Sequence, residues 1–160
     1  MSDTANFGTL ILRPHYLQWA IDKCPWIVIN IIGYCLYVDT PLPGFFLILM
    51  VAMSLHLIYM LVYQTMMKFT VTGEMIIYEY GVFCRKREYI ELYRVVDFRE
   101  DISFLQNIFE LKTVTVLSGD RTTPTLKIPG ISLSYPLVPE LRKRVEFNKR
   151  RKGIYEITNR

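Results

Sequence analysis

From Pro43 to Tyr63 the chain is apolar at almost every position, with no formal charge and only Ser54 and His56 as polar breaks. An amphipathic core helix would carry a polar stripe, so the pattern predicts a helix that is apolar all round. About twenty residues at a rise of about 1.5 Å cover the roughly 30 Å of bilayer hydrocarbon, and the stretch reads as a transmembrane helix. A shorter apolar run, Pro25 to Val38, precedes it and contains Asn30. Its helical length of roughly 21 Å falls short of a full span unless it borrows residues at either end or the bilayer thins. Between the runs, Asp39-Thr40-Pro41-Leu42-Pro43-Gly44 places two prolines and a glycine where they break a helix and allow a reversal. Residues 24–67 are therefore expected to form a transmembrane helical hairpin.

Upstream, Leu10 to Ile21 mixes Leu, Ile, Tyr16 and Trp19 with Arg13, His15 and Gln18. Aromatic residues beside basic ones suit the membrane interface. Residues 1–23 are expected to lie along the headgroups and to turn in at Asp22-Lys23, with Pro25 in the first helical turn, where its missing N–H has no helical partner anyway. From Lys68 onward the charges return and short β-type runs follow: Phe69–Thr72, Met75–Tyr80, Val82–Leu92, Tyr93–Arg99, Leu111–Leu117 and Thr123–Ile128. Ser103–Phe109 reads as a helical turn. A last helix begins near Pro139, where Leu141 and Val145, four apart, start an apolar stripe able to cover the open side of a sheet or barrel. The fold class is an α+β membrane protein, with the soluble domain at 68–148 and a basic C-terminal tail at 149–160.

Composition alters this picture in three places. The net charge of +4 is concentrated near the C-terminus. Three cysteines with no Cys-x-x-Cys pair argue against a disulfide framework or a zinc site. The first nine residues carry Asp3 and no basic residue, unlike a secretory signal, so the first apolar segment is expected to stay in the mature protein. Arg13 and Lys23 precede the hairpin and Lys68 follows it, while its loop carries only Asp39. The positive-inside rule then puts both termini and the domain in the cytoplasm.

The succession Phe69-Thr70-Val71-Thr72, Tyr78, Gly81-Val82-Phe83 with Arg85 and Lys86, Ile90, Leu92, Arg94-Val95, Asp97, Ser103, Leu105-Gln106, Phe109, Leu111, Val114 and Val116 resembles the bacterial pleckstrin-homology (PH)-like domains, of the membrane-anchored kind placed after paired transmembrane helices. The resemblance covers residues from about Lys68 to about Phe147. It implies a seven-stranded, strongly bent sheet closed by a C-terminal helix, and binding or assembly rather than catalysis. Glu91 and Glu110 depart from it, standing where proline and glycine are usual.

The candidate functional residues fall into two groups. Arg142, Lys143, Arg144, Lys149, Arg150, Arg151 and Lys152 form a basic run that either attracts anionic lipid headgroups or simply complements the dipole of a solvated helix end. Asn30, Ser54 and His56 are the polar groups of the hairpin, suited to packing or assembly, or else to a polar path. Arg85, Lys86 and Arg87 alternate between strand faces after a tight hairpin turn, which disfavours a specific inositide pocket. No catalytic triad, metal-spaced ligand set or phosphate loop is present, so neither an enzyme nor a cofactor is expected. The reading that follows is a non-enzymatic PH-like interaction or assembly module of a bacterial inner-membrane complex. Its partners would be the lipid bilayer and either further copies of itself or another membrane protein, with nucleic acid a weak alternative. A small transporter or channel subunit, or a membrane-acting immunity or stress-protection factor, are the other readings.

Overall fold

The structure, a computed structural model, describes residues 7–39 and 41–153. Strand β1 (Leu10–Leu12) is followed by α1 (Tyr16–Leu36), a 3-10 turn at Tyr37–Asp39, and α2 (Pro43–Thr65). Then come β2 (Lys68–Val71), β3 (Met75–Tyr80), β4 (Lys86–Glu91), β5 (Val95–Asp101), α3 (Phe104–Ile108), β6 (Leu111–Ser118), β7 (Thr125–Ser132) and α4 (Leu137–Arg151). Two antiparallel sheets result, ordered β1-β2-β3-β4 and β5-β6-β7. This α+β arrangement with a closing C-terminal helix is consistent with a PH-like fold, but its seven strands fall into two antiparallel sheets rather than the one strongly bent sheet expected.

Alternation builds the core. In β2, Phe69 and Val71 are buried while Lys68 and Thr70 are only partly so, and Ile76, Ile90, Val95, Val114, Val116 and Ile128 complete the two inner faces. Leu137, Leu141 and Val145, at successive helical turns of α4, close the open side.

Two expectations about the N-terminal segment are corrected. Leu10–Leu12 is not an interfacial peptide but a strand, pairing antiparallel with β2 so that Leu10 faces Val71 and Leu12 faces Phe69. Its apolar residues are used by the sheet: Leu12 is buried in the core and Leu10 packs against it, while the strand covers an edge of β2 that would otherwise be unpaired. The sheet system therefore spans more than residues 68–148, and its first two strands are joined by the whole helical pair. Helix α1 begins at Tyr16 rather than at Pro25, with the His15 side chain accepting from the Leu17 N–H as its cap. Pro25 lies inside the helix, so the Ile21 carbonyl lacks its usual helical donor.

The two helices pack antiparallel, as the bonds from Asn30 to Met50 and from Gln64 to His15 require. Among the described residues only α2 is long and apolar enough to cross a membrane, and just 11% of its most apolar window is buried. A helix at the heart of a soluble core would be mostly covered.

Glu110 accounts for its own departure from the family pattern. It has a φ of 53°, the left-handed conformation in which a Cβ is costly and glycine is at ease. Glu110→Gly is expected to stabilise the fold by about 0.5–1 kcal/mol, the relief of strain being partly offset by the freer unfolded chain. A rise in melting temperature would register it, and an unchanged or lower one would refute it.

Candidate functional site

Asn30 and Ser54 meet between the helices. Asn30 is buried and donates to the Met50 carbonyl at 3.1 Å, and the Ser54 hydroxyl lies 3.1 Å from Asn30 Oδ1, 2.9 Å from the same carbonyl and 3.3 Å from the Tyr34 hydroxyl. Gly33 allows the close approach, because a Cβ there would collide with Met50 Sδ. These polar groups satisfy one another inside the pair. His56 does not join them: it is exposed, and with Lys23, Trp26, Leu49 and Met53 it lines a notch of about 320 Å³ on the outer surface of the helices. The three residues therefore do not line a common path.

At their base, the helices are bonded to the domain in several places. The His15 N–H donates to the Gly130 carbonyl of β7 at 3.0 Å, and Gln64 of α2 donates to the His15 carbonyl at 3.3 Å. Gln106 of α3 is buried, and its side-chain amide donates both to Thr113 of β6 at 2.8 Å and to Gln18 of α1 at 2.9 Å. Gln18 in turn donates to Asp22 at 2.8 Å. Ser103 and Gln106 form a reciprocal capping box, which holds the Gln106 side chain in place.

The basic run of α4 does not act as a unit. Arg144 is buried: its guanidinium donates to the carbonyls of Val71 and Thr72 and to Glu140, and it lies 5.3 Å from the centre of the Phe7 ring. The expectation of a lipid-facing Arg144 is therefore corrected. Position 144 falls three residues after Leu141, on the helix face that meets the β2–β3 turn, where carbonyls need donors. Arg151 pairs with Glu74, and that hydrogen bond holds the Glu74 carboxyl below its ordinary range. Lys152 sits 5.2 Å from the Tyr93 ring centre, while Arg142, Lys143 and Arg150 are exposed. Lys149 is partly buried, and the rest of the expected tail, 154–160, lies outside the described residues.

A second basic group gathers where α2 enters the sheet. Arg13, Lys68, Arg85 and Arg87 line a cleft of about 370 Å³ together with Thr65, Met66, Glu79, Tyr80 and Gly81. Lys68 and Arg87 both reach Glu79, whereas Arg13 and Arg85 are exposed and have no ion-pair partner among the described residues. Tyr80 donates to Glu88 at 2.7 Å, and this bond holds its phenol above the ordinary range. The expected tight turn between β3 and β4 is a loop of residues 81–85, opened by Gly81 at a φ of 105°. A Cβ on Gly81 would strike the Cys84 carbonyl, so the loop depends on glycine there. Its tip carries Phe83, 88% exposed, with its ring stacked 6.3 Å from that of Tyr59 on α2.

Sequence reasoning missed Gln18, Gln106 and this cleft. The Ser103-x-x-Gln106 spacing signals a capped helix, but not the reach of Gln106 to a residue eighty-eight positions away. Arg13 and Lys68 served only as markers of orientation. A family model described as bacterial PH domain matches residues 27–146, a stretch that takes in the later part of α1, all of α2, the strands β2 to β7 and most of α4. Comparison with curated proteins and with solved structures returned no match. With that match covering well over half of its length, on two antiparallel sheets closed by a C-terminal helix, the chain belongs to the bacterial PH domain family.

Proposed function

We propose that this chain is a non-enzymatic, membrane-anchored interaction module that assembles with copies of itself or with another protein of the bacterial inner membrane. PH-like domains are generally binding modules rather than catalysts. The observation that carries the reading is the insertion of the helical pair between two adjacent strands, β1 and β2, with further bonds from His15, Gln18 and Gln64. A domain held this way moves with its helices, so an assembly made in the bilayer sets the orientation of the domain, and the reverse. The exposed apolar surface of α2 supports burial in lipid. The first helix crosses beside it, and both termini and the domain lie in the cytoplasm. The notch at Lys23, Trp26 and His56 is where a neighbouring helix packs.

The test is photocrosslinking in intact membranes. A photoreactive residue at position 26 or 56 is expected to give a band at twice the chain's mass or a heterologous band, while one at position 30, inside the pair, gives none. Monomer alone from every position, together with a monomer in mild detergent, would sink the assembly reading. A polar path through Asn30, Ser54 and His56 is not favoured, because the first two are satisfied by each other and by Met50.

A further inference from the structure

We propose that α3 of one copy docks on the β3–β4 loop of a second copy beside it in the membrane, Phe104 and Ile108 packing against Phe83 inside a rim of opposite charges. Phe104 and Ile108, four apart on α3, share the face opposite the buried Gln106. Phe104 is 80% exposed, and the neighbouring Ile102 and Phe109 are exposed as well. The capping box and the bond from Gln106 to Thr113 hold the helix in place, so its apolar face is a fixed surface. Asp101 and Glu110 bracket the helix in the chain, and Asp22 is joined to it through Gln18. All three are exposed and have no ion-pair partner among the described residues, while Lys112, two residues beyond Glu110, is spent on Glu100. An anionic leaflet would repel such a rim. The occupant that fits is apolar at its centre and cationic around it.

The chain carries that surface itself. Phe83 is 88% exposed at the tip of the β3–β4 loop, and Arg85 and Arg13 are exposed beside it with no ion-pair partner among the described residues. Aromatic and arginine side chains are the types that carry most of the energy of protein interfaces. Height along the helices is an independent observation. The α3 helix is bonded to α1 at Gln18, whereas Phe83 stacks on Tyr59 of α2. The antiparallel bonds from Asn30 to Met50 and from Gln64 to His15 put Tyr59 level with Ala20 or Ile21 of α1. At a rise of about 1.5 Å per residue, the two surfaces differ in height by only roughly 4 Å. Copies held in one bilayer share orientation and height, so these surfaces meet without either copy tilting. Because they belong to different elements, they pair head-to-tail and not across a two-fold axis. The contact rests on the reading of the chain as a self-assembling membrane protein, and it names the surfaces through which the domains meet.

The experiment uses two differently tagged versions of the full chain in intact membranes, both with Cys24→Ser and Cys35→Ser. One carries Ile108→Cys and Cys84→Ser; the other keeps its native Cys84, exposed beside Phe83. A short bismaleimide is expected to give a band at twice the chain's mass that carries both tags. Its yield should be about tenfold above that from Val96→Cys, an equally exposed position at the far end of β5. Arg85→Glu in the second version is expected to cut the yield about tenfold, and Asp101→Arg with Glu110→Arg in the first to recover it, while Arg142→Glu changes it less than about twofold. The crosslink between otherwise native chains needs none of these charge variants, so it decides the contact even where one of them fails to fold. A Cys84 homodimer without the mixed band, or a photoreactive residue at position 108 that captures only lipid or a different protein, overturns the proposal. Dimers from positions 26 and 56 without the mixed band would strike out this contact and leave self-assembly standing. Absence of both would remove the two together.

Discussion

Gly130→Ala is expected to destabilise the protein by about 3 kcal/mol and to loosen the helices from the domain. Gly130 has a φ of 66°, which costs a residue with a Cβ about 1–2 kcal/mol. The added Cβ would also lie 2.9 Å from the His15 backbone nitrogen and 2.9 Å from Gln18 Cβ, so main chain as well as side chain must shift. Crowding of that kind costs about 1–3 kcal/mol, and the hydrogen bond from His15 to the Gly130 carbonyl is weakened in the process. Because the His15 carbonyl accepts from Gln64, the displacement reaches α2 as well as α1. Thermal unfolding in mild detergent measures the loss, and faster amide exchange at Tyr16–Gln18 would localise it. Gly44→Ala is the control: nothing lies within 4 Å of a Cβ there, and the expected change is below about 1 kcal/mol. Equal behaviour of the two variants would show that the close approach at Gly130 carries no energetic weight.

The second large effect is expected at Arg144. Arg144→Met keeps much of the side-chain volume but removes the donors to the Val71 and Thr72 carbonyls and to Glu140. Buried carbonyls left unpaired cost about 1–3 kcal/mol each, and the expected loss is about 3 kcal/mol. Arg144→Lys is not expected to restore it, since one ammonium cannot reproduce the planar fork that serves carbonyls and carboxylate together. Asn148, one turn on, donates to the Gly73 carbonyl at 2.6 Å and to the Arg144 carbonyl at 2.8 Å, so this face of α4 serves a run of three consecutive turn carbonyls. Arg142→Met and Arg150→Met, at exposed sites, should each stay within about 0.5 kcal/mol. Denaturant unfolding that found Arg144 and Arg142 equivalent would contradict this division of the basic run.

Much of the architecture follows from local periodicity. The apolar continuity of Pro43–Tyr63, the alternation in Phe69–Val71 and in Val114–Val116, and the spacing of Leu141 and Val145 each depend on near neighbours in the chain, and each yields the element found. The capped turn at Ser103 is readable for the same reason, and Met75–Tyr80 appears with the expected limits. Leu10–Leu12 fails as a sequence reading because three residues show no period; the strand exists only because the edge of β2 lies beside it across the whole helical pair. Arg144 fails for a related reason, since seven basic residues in a short stretch look alike until the helix rotates one of them onto the β2–β3 turn.

By itself, then, the sequence determined most of the segments that are helix and strand from Pro43 onward, which helix is apolar enough to span a bilayer, and the family to which the domain belongs, because these depend on composition and on short-range order. Only the tertiary structure decided which polar groups are used inside the molecule and which are left to meet something else. Asn30 and Ser54 are satisfied against each other while His56 faces outward. Gln106 is spent on Gln18, and Arg13 joins Arg85 although seventy-two positions separate them in the chain. A polar group's partner is set by where folding carries it, and that placement has no period along the chain.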